Sequence, residues 1–324
     1  MRLLITGALG HIGSRLIHSL QPGEFEKVVL LDDLSTQRYC TLFNLPAGTP
    51  FHFVEADVRR ADLKSLFQGI DVVIHLAAIT DAAGSFDIPE QVEEVNFQAT
   101  QRVAQACLEE GCSLLFLSTT SVYGSQDQVV DEDCSLADLQ PQSPYAESKL
   151  RAEQFLAELT SREGLRSVVL RLGTICGTSA GMRFHTAVNK FCWQACLGQP
   201  LSVWKTALHQ KRPYLELGDA VRAFRFVLEK GLFDGRLYNV VTQNATVNDI
   251  IQLLREEVPD VQVSLVDAKI MNQLSYEVRC ERIQGLGFRF SGSLRDAVKE
   301  TVELLRNAGG QRFGKALSSV DTHS

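Results

Sequence analysis

Tyr145 and Lys149 stand four residues apart in the stretch SPYAESK, Ser143 to Lys149, a spacing that puts both on one face of a helix. A phenol is a poor base at neutral pH, because its unperturbed pKa is about 10. A nearby ammonium, or a cationic ring above it, favours the phenolate and lowers that value. The pair therefore offers a group able to take a proton from an alcohol; the alternative is an exposed helix start on which both side chains are incidental. Near the N-terminus, ITGALGHIG (Ile5 to Gly13) spaces Gly7, Gly10 and Gly13 three residues apart. A tight turn, close approach of backbone N–H groups to a diphosphate, and close helix–strand packing account for the three positions. A glycine loop without a ligand is the other reading. Asp32 follows the glycines by about twenty residues and ends an apolar run, where an acid accepts hydrogen bonds from an adenosine ribose. Asp33 comes next, and its charge would repel a 2′-phosphate, which favours NAD over NADP. Asp57 and Val58 reach toward an adenine in the same geometry, or Asp57 is a turn residue.

The elements that must carry these residues are legible as alternating apolar and amphipathic runs. Leu3 to Thr6 reads as a strand and Ile12 to Leu20 as a helix, with the glycines between them. Lys27 to Asp32 (KVVLLD), Phe51 to Val54 (FHFV) and Asp71 to Leu76 (DVVIHL) read as three further strands. Helix-like stretches follow at Ala61 to Gln68 and Glu90 to Glu110. Ser113 to Ser118 (SLLFLS) and Ser167 to Arg171 (SVVLR) continue the alternation, with a helix from Tyr145 to Thr160 between them. Continuous apolar strands alternating with helices predict a Rossmann-type, doubly wound α/β fold whose parallel sheet is covered on both faces. After Thr174 the rhythm changes. Asn189 to Leu197 and Asp219 to Lys230 read as helices, Leu201 to Trp204 as extended, and Thr246-Val247-Asn248-Asp249 as a capping box opening a helix that ends near Val258. These readings divide the chain into an NAD-binding domain (1–173), a smaller mixed α/β substrate-binding region (174–310) packed directly on it, and a tail (311–324) expected to fray.

The 324 residues suffice for one large or two smaller domains, and 45% hydrophobic with 22% charged residues is ordinary for a soluble globular protein. A net charge of −7 argues against a nucleic-acid or anionic-membrane partner, both of which it would repel. The eight cysteines form no C-x-x-C pair, so buried free thiols in a reducing cytoplasm are expected and no metal site. The first residues, MRLLITG, lack the features of a signal peptide, and no apolar run is long enough to cross a bilayer.

Gly7/Gly10/Gly13, His75-Leu76-Ala77-Ala78, Ser118 to Gly124 (STTSVYG) and Tyr145/Lys149 together resemble the extended short-chain dehydrogenase/reductase family, within it the nucleotide-sugar epimerases and dehydratases. The resemblance runs from residue 1 to about 305. It implies NAD as cofactor, held by Gly7, Gly10, His11, Ile12, Asp32, Asp33, Asp57, Val58, Leu76, Ala77 and Ala78. Tyr145, Lys149, Leu172, Thr174 and Ile175 complete that set on the nicotinamide side. It implies Thr119, Tyr145 and Lys149 as catalytic residues, Thr119 bonding the reacting sugar hydroxyl. A nucleotide-sugar substrate would meet Thr119, Thr120, Thr174, Arg212, His185 and Asn189, with Arg212 on the phosphate. Where the family often carries R-x-x-N-x-Y-G-P, this chain has Arg171-Leu172-Gly173-Thr174-Ile175-Cys176-Gly177-Thr178, which weakens the expectation of a sugar nucleotide. A homodimer through the helices Glu90 to Glu110 and Tyr145 to Thr160 is a further family-level expectation.

The residues after Thr119 discriminate among chemistries. Sugar 4,6-dehydratases resemble T-D-E here, because removing water needs an added acid and base. Nucleotide-sugar decarboxylases carry a Glu just before V-Y-G, and some 3,5-epimerases a Cys. This chain has Thr120 and Ser121. Hydride transfer with no further proton-transfer device remains, which fits a C4 epimerase. The alternatives are a dehydrogenase or reductase that exchanges NAD(H) each turnover, and an NAD-binding sensor without catalysis.

Overall fold

Runs such as KVVLLD can bury both faces only inside a covered parallel sheet, and that is where they lie. A computed structural model of the chain describes residues 1–126, 129–267 and 275–308; the expected tail lies outside them. The first strands are β1 (Arg2–Thr6), β2 (Lys27–Asp32), β3 (Phe51–Glu55), β4 (Val72–His75), β5 (Ser113–Thr119) and β6 (Ser167–Leu172). β7 (Thr174–Cys176), β8 (Leu201–Trp204), β9 (Lys211–Glu216), β10 (Leu237–Val240), β11 (Gln243–Thr246) and β12 (Val263–Val266) follow. The helices begin with α1 (His11–Ser19), α2 (Leu63–Phe67), α3 (Pro89–Val92), α4 (Ala99–Glu110) and α5 (Pro144–Glu163). They continue with α6 (Ala187–Cys196), α7 (Leu217–Lys230), α8 (Val247–Glu257), α9 (Glu281–Gly285) and α10 (Leu294–Leu305).

Seven strands form one parallel sheet in the order β10-β6-β5-β4-β1-β2-β3. Separate apolar clusters fill its two faces. The order reverses between β1 and β4, and open α/β sheets bind ligands in the crevice outside the carboxyl ends of such strands. The smaller region joins β9 to β7 in parallel and to β11 antiparallel, pairs β12 with β8, and packs α6, α8 and α10 on a third cluster. The capping box at Thr246 and Asp249 is present.

Two features depart from the simple alternation. The chain does not stay in the smaller region after residue 174: α7 returns to pack on α1, and β10 adds a seventh strand beside β6. The stretch expected as one helix over Glu90 to Glu110 contains a π-helical turn at Glu93–Gln98, between α3 and α4. The wider turn presents Asn96, fully buried, to the chain beside it.

Candidate active site

The chain leaves β1 through Gly7 at φ +62°, where an added Cβ would lie 2.6 Å from the Ala77 backbone nitrogen. A Cβ on Gly13 would lie 2.3 Å from the Ala8 carbonyl oxygen, so close packing of α1 on the preceding turn requires that glycine. Gly10 caps α1 with no side-chain hydrogen bond, which leaves first-turn N–H groups for an anion. Asp32, at the end of β2, accepts hydrogen bonds from the Leu9 and Leu34 amides, both at 3.0 Å. Those bonds fix the carboxylate beside the glycines, while burial raises its pKa.

A cleft of about 400 Å³ opens here. Gly7, Gly10, His11, Ile12, Asp32, Asp33, Asp57, Val58, Leu76, Ala77 and Ala78 all line it, together with Thr80, Arg38, Arg183 and His185. Asp57 is paired with Arg59 at 2.8 Å. The Ala77 amide donates to Thr6 Oγ1 at 3.3 Å, and Asn96 clamps Ile79 through both amide atoms, at 2.8 and 2.9 Å. These bonds hold the chain after β4 against the glycine turn. His75 is buried between Thr6 at 2.7 Å and Thr100 at 3.1 Å, and burial pushes its pKa down to about 3. It is a neutral structural residue. Glycines where a side chain would block approach, an uncapped helix start and an acid at the end of β2 form a cradle that fits NAD.

Thr119 ends β5 and accepts a hydrogen bond from the Ser121 amide at 3.1 Å. Tyr145 stands in the first turn of α5, whose start is capped by Ser143. The Thr119 side chain stands close enough to the Tyr145 hydroxyl to favour the ionised phenol. Burial raises the phenol's pKa, opposed by the charge of Arg183 and by that side chain. Lys149 is buried one turn on, donates to the Leu117 carbonyl at 2.8 Å and lies 4.6 Å from the Phe116 ring centroid. Burial pushes Lys149 down to about 7, with Glu153 opposing. The charge of Arg183 acts on this phenol, a cation that the Tyr145–Lys149 spacing does not announce. Behind Lys149, Glu153 forms a buried pair with Arg171 at 2.6 Å and accepts from Ser118.

On the substrate side, Thr120 donates to the Leu172 carbonyl at 3.3 Å and meets the Tyr276 hydroxyl at 3.3 Å. Tyr276 is buried; burial raises its phenol, while Thr120, the Arg212 charge and Ser121 lower it. Thr174 opens β7 opposite Tyr214. Leu172, Thr174 and Ile175 lie at these strand ends rather than on the lining of the cleft. Arg212 stands on β9, where its charge reaches both Tyr214 and Tyr276. His185 reaches the cleft. Asn189 does not: it is fully buried and its amide is spent on the backbone of Gly177 and Arg183, which it holds in place. Sequence reading missed Arg183, Arg38, Asn96 and Tyr276. Arg38, five residues after Asp33, was the one whose position gave a signal.

Among the described residues, no group of three or more His, Cys, Asp or Glu is placed to hold a metal, and no helix is long and apolar enough to cross a membrane. The profile of the NAD dependent epimerase/dehydratase family matches residues 3–240. The uncharacterized UDP-glucose epimerase YtcB of Bacillus subtilis (strain 168) is 31% identical over 266 residues, covering 79% of this chain and 82% of that protein. The dTDP-D-glucose 4,6-dehydratase of Bos taurus is 30% identical over 324 residues, covering 94% and 88%. The UDP-glucuronic acid 4-epimerase from Bacillus cereus, solved with UDP-glucuronic acid and NAD, is similar with a TM-score of 0.87 at 26% identity, over 95% of this chain and 100% of that one. MoeE5 in complex with UDP-glucose and NAD has a TM-score of 0.82 at 25% identity, over 95% and 99%.

Proposed function

The chain belongs to the NAD dependent epimerase/dehydratase family, and we propose that within it this protein inverts C4 of a nucleotide sugar. Its relatives include both an epimerase and a dehydratase, so family membership alone does not choose. The observation that carries the reading is the state of the two positions after Thr119. Thr120 and Ser121 are both hydroxyls, Thr120 being engaged with Leu172 and Tyr276, where elimination of water would need a placed acid and base.

NAD, when bound, supplies hydride acceptance and return at the sugar's C4. Tyr145 takes the proton of the C4 hydroxyl and holds it on its phenolic oxygen until the carbonyl oxygen takes it back. Thr119 orients that hydroxyl, with its own oxygen anchored by the Ser121 amide. The Arg183 charge and the Thr119 side chain both favour the phenolate against burial. Arg212 takes the substrate diphosphate, and Thr120, Thr174 and His185 complete the sugar-nucleotide pocket. Oxidation and reduction cancel, so the cofactor need not leave between turnovers.

Supplied with UDP-, dTDP-, GDP- and CDP-sugars, the protein should interconvert one C4-epimeric pair without added NADH. Stoichiometric consumption of NADH would instead assign a reductase, and a product lacking the elements of water would assign a dehydratase.

A further inference from the structure

Two arginines from different segments converge on the glycine turn, and neither forms an ion pair with a carboxylate among the described residues. Arg38 arrives from the loop after β2, which turns back through positive φ at Leu34 and Gln37. Its Nη1 lies 3.9 Å from the place a Cβ on Gly10 would take. Arg183 arrives from the loop after β7, donates through Nη1 to Thr80 Oγ1, and keeps a buried Nε with no partner among the described residues. Between them His11 is 4% exposed. Its Nδ1 pairs with Ser179 Oγ at 2.8 Å, and its Nε2 is buried and unpartnered among the described residues. The two guanidinium charges and His185 act on one another and on His11, whose pKa is pushed down to about 3, chiefly by burial.

Asp32 acts on Arg38 and Asp81 on Arg183 and His185 across the cleft, but no carboxylate touches either guanidinium among the described residues. Cations held partly out of water without such a contact raise the free energy of the empty protein. A chain of net charge −7 had acids to spare for pairing them. The arrangement makes sense when an anion completes it. We propose that Arg38 and Arg183 form a two-arginine clamp for the diphosphate of the bound dinucleotide, opposite the N–H groups of the first turn of α1. The clamp is built to hold its shape. Gly181 donates to Ser14 Oγ at 2.9 Å, Cys40 Sγ donates to the Ala180 carbonyl at 3.2 Å, and Asn189 Nδ2 donates to the Arg183 carbonyl at 3.0 Å. The two arginine-bearing loops are thus latched to each other and to α1. Because Arg183 belongs to the smaller region, both parts of the molecule would grip the cofactor. This inference rests on the NAD site and is independent of the sugar chemistry.

The test uses protein stripped of cofactor, with calorimetric titration of NAD, ADP-ribose, adenosine and UDP-glucose. Arg38→Gln and Arg183→Gln should each weaken NAD and ADP-ribose by about tenfold or more and flatten the salt dependence of both, leaving adenosine unchanged. Arg183→Lys should recover part of the loss. Each Gln variant should also melt at or above the wild-type temperature without cofactor, because a charge that burial disfavours and no carboxylate contacts has been removed. Unchanged NAD affinity, or a loss confined to UDP-glucose, overturns the clamp and gives the arginines to the substrate. An equal loss for adenosine, or a lower melting temperature without cofactor, overturns it in favour of a structural role.

Discussion

A phenol enclosed as Tyr145 is resists ionisation, with Arg183 and Thr119 pulling the other way. Tyr145→Phe removes the group that takes the proton and little else. Turnover should fall by about 10² or more while NAD affinity, read by calorimetry, stays at the wild-type value. Near-normal turnover would show that another group is the base. Asp32 belongs to the same scale: with its oxygens fixed beside the glycines and Asp33 next to it, NAD should bind at least about tenfold tighter than NADP, a gap of about 1.4 kcal/mol. Equal affinities in parallel titrations would mean the carboxylate does not reach the ribose. Lys149 makes a pH prediction. An unfolded lysine titrates near about 10.4, whereas in the fold Lys149 titrates at about 7. Between those values the unfolded chain binds the extra proton, so this residue makes stability rise with pH across that window, its full cost being present below it. Lys149→Met should therefore stabilise the cofactor-free protein more at about pH 6 than at about pH 10 in urea unfolding. An equal effect at both would mean that Lys149 stays charged when buried.

At the scale of elements, the cleft depends on a few backbone contacts between segments far apart in the chain. Asn96, presented by the π-helical turn, carries two of them to Ile79 and a third to Ser148 at 3.2 Å. Asn96→Ala leaves the Ile79 amide and carbonyl without these partners, which should cost about 1–3 kcal/mol of stability. The chain after β4 lines the NAD cleft, so NAD affinity should fall as well. Loss of stability with unchanged affinity would make Asn96 a scaffold residue only.

For the whole molecule, hydride that leaves and returns at one carbon predicts that a product formed in deuterated water carries no deuterium on carbon. Label at C3 or C5, seen by NMR, would require enolisation and remove the C4 reading. We also expect a homodimer through the stretch Glu90 to Glu110 and α5, where Phe97 of the π-helical turn meets Phe155 edge-on and Arg151 lies over Phe97. Light scattering should then give twice the chain mass of 35.9 kDa, and the single-chain mass would exclude it.

The alternation of apolar runs and helices, the glycine turn and the acid after β2 were legible in order along the chain, because each is a local pattern of side-chain size and polarity. So was the Tyr145–Lys149 pair, since four residues make one helical turn. Tertiary structure alone brought the charge of Arg183 to bear on that tyrosine, from a loop beyond β7, and set Lys149 against the Leu117 carbonyl. Tyr276 and Asn96 were invisible for the same reason: their partners, Thr120 and Ile79, are distant in sequence. Asn189 was read as facing a ligand and instead holds a loop, because a buried amide must satisfy its hydrogen bonds wherever backbone is nearest. Local chemistry sets what a residue is able to do; packing across the chain sets what stands next to it.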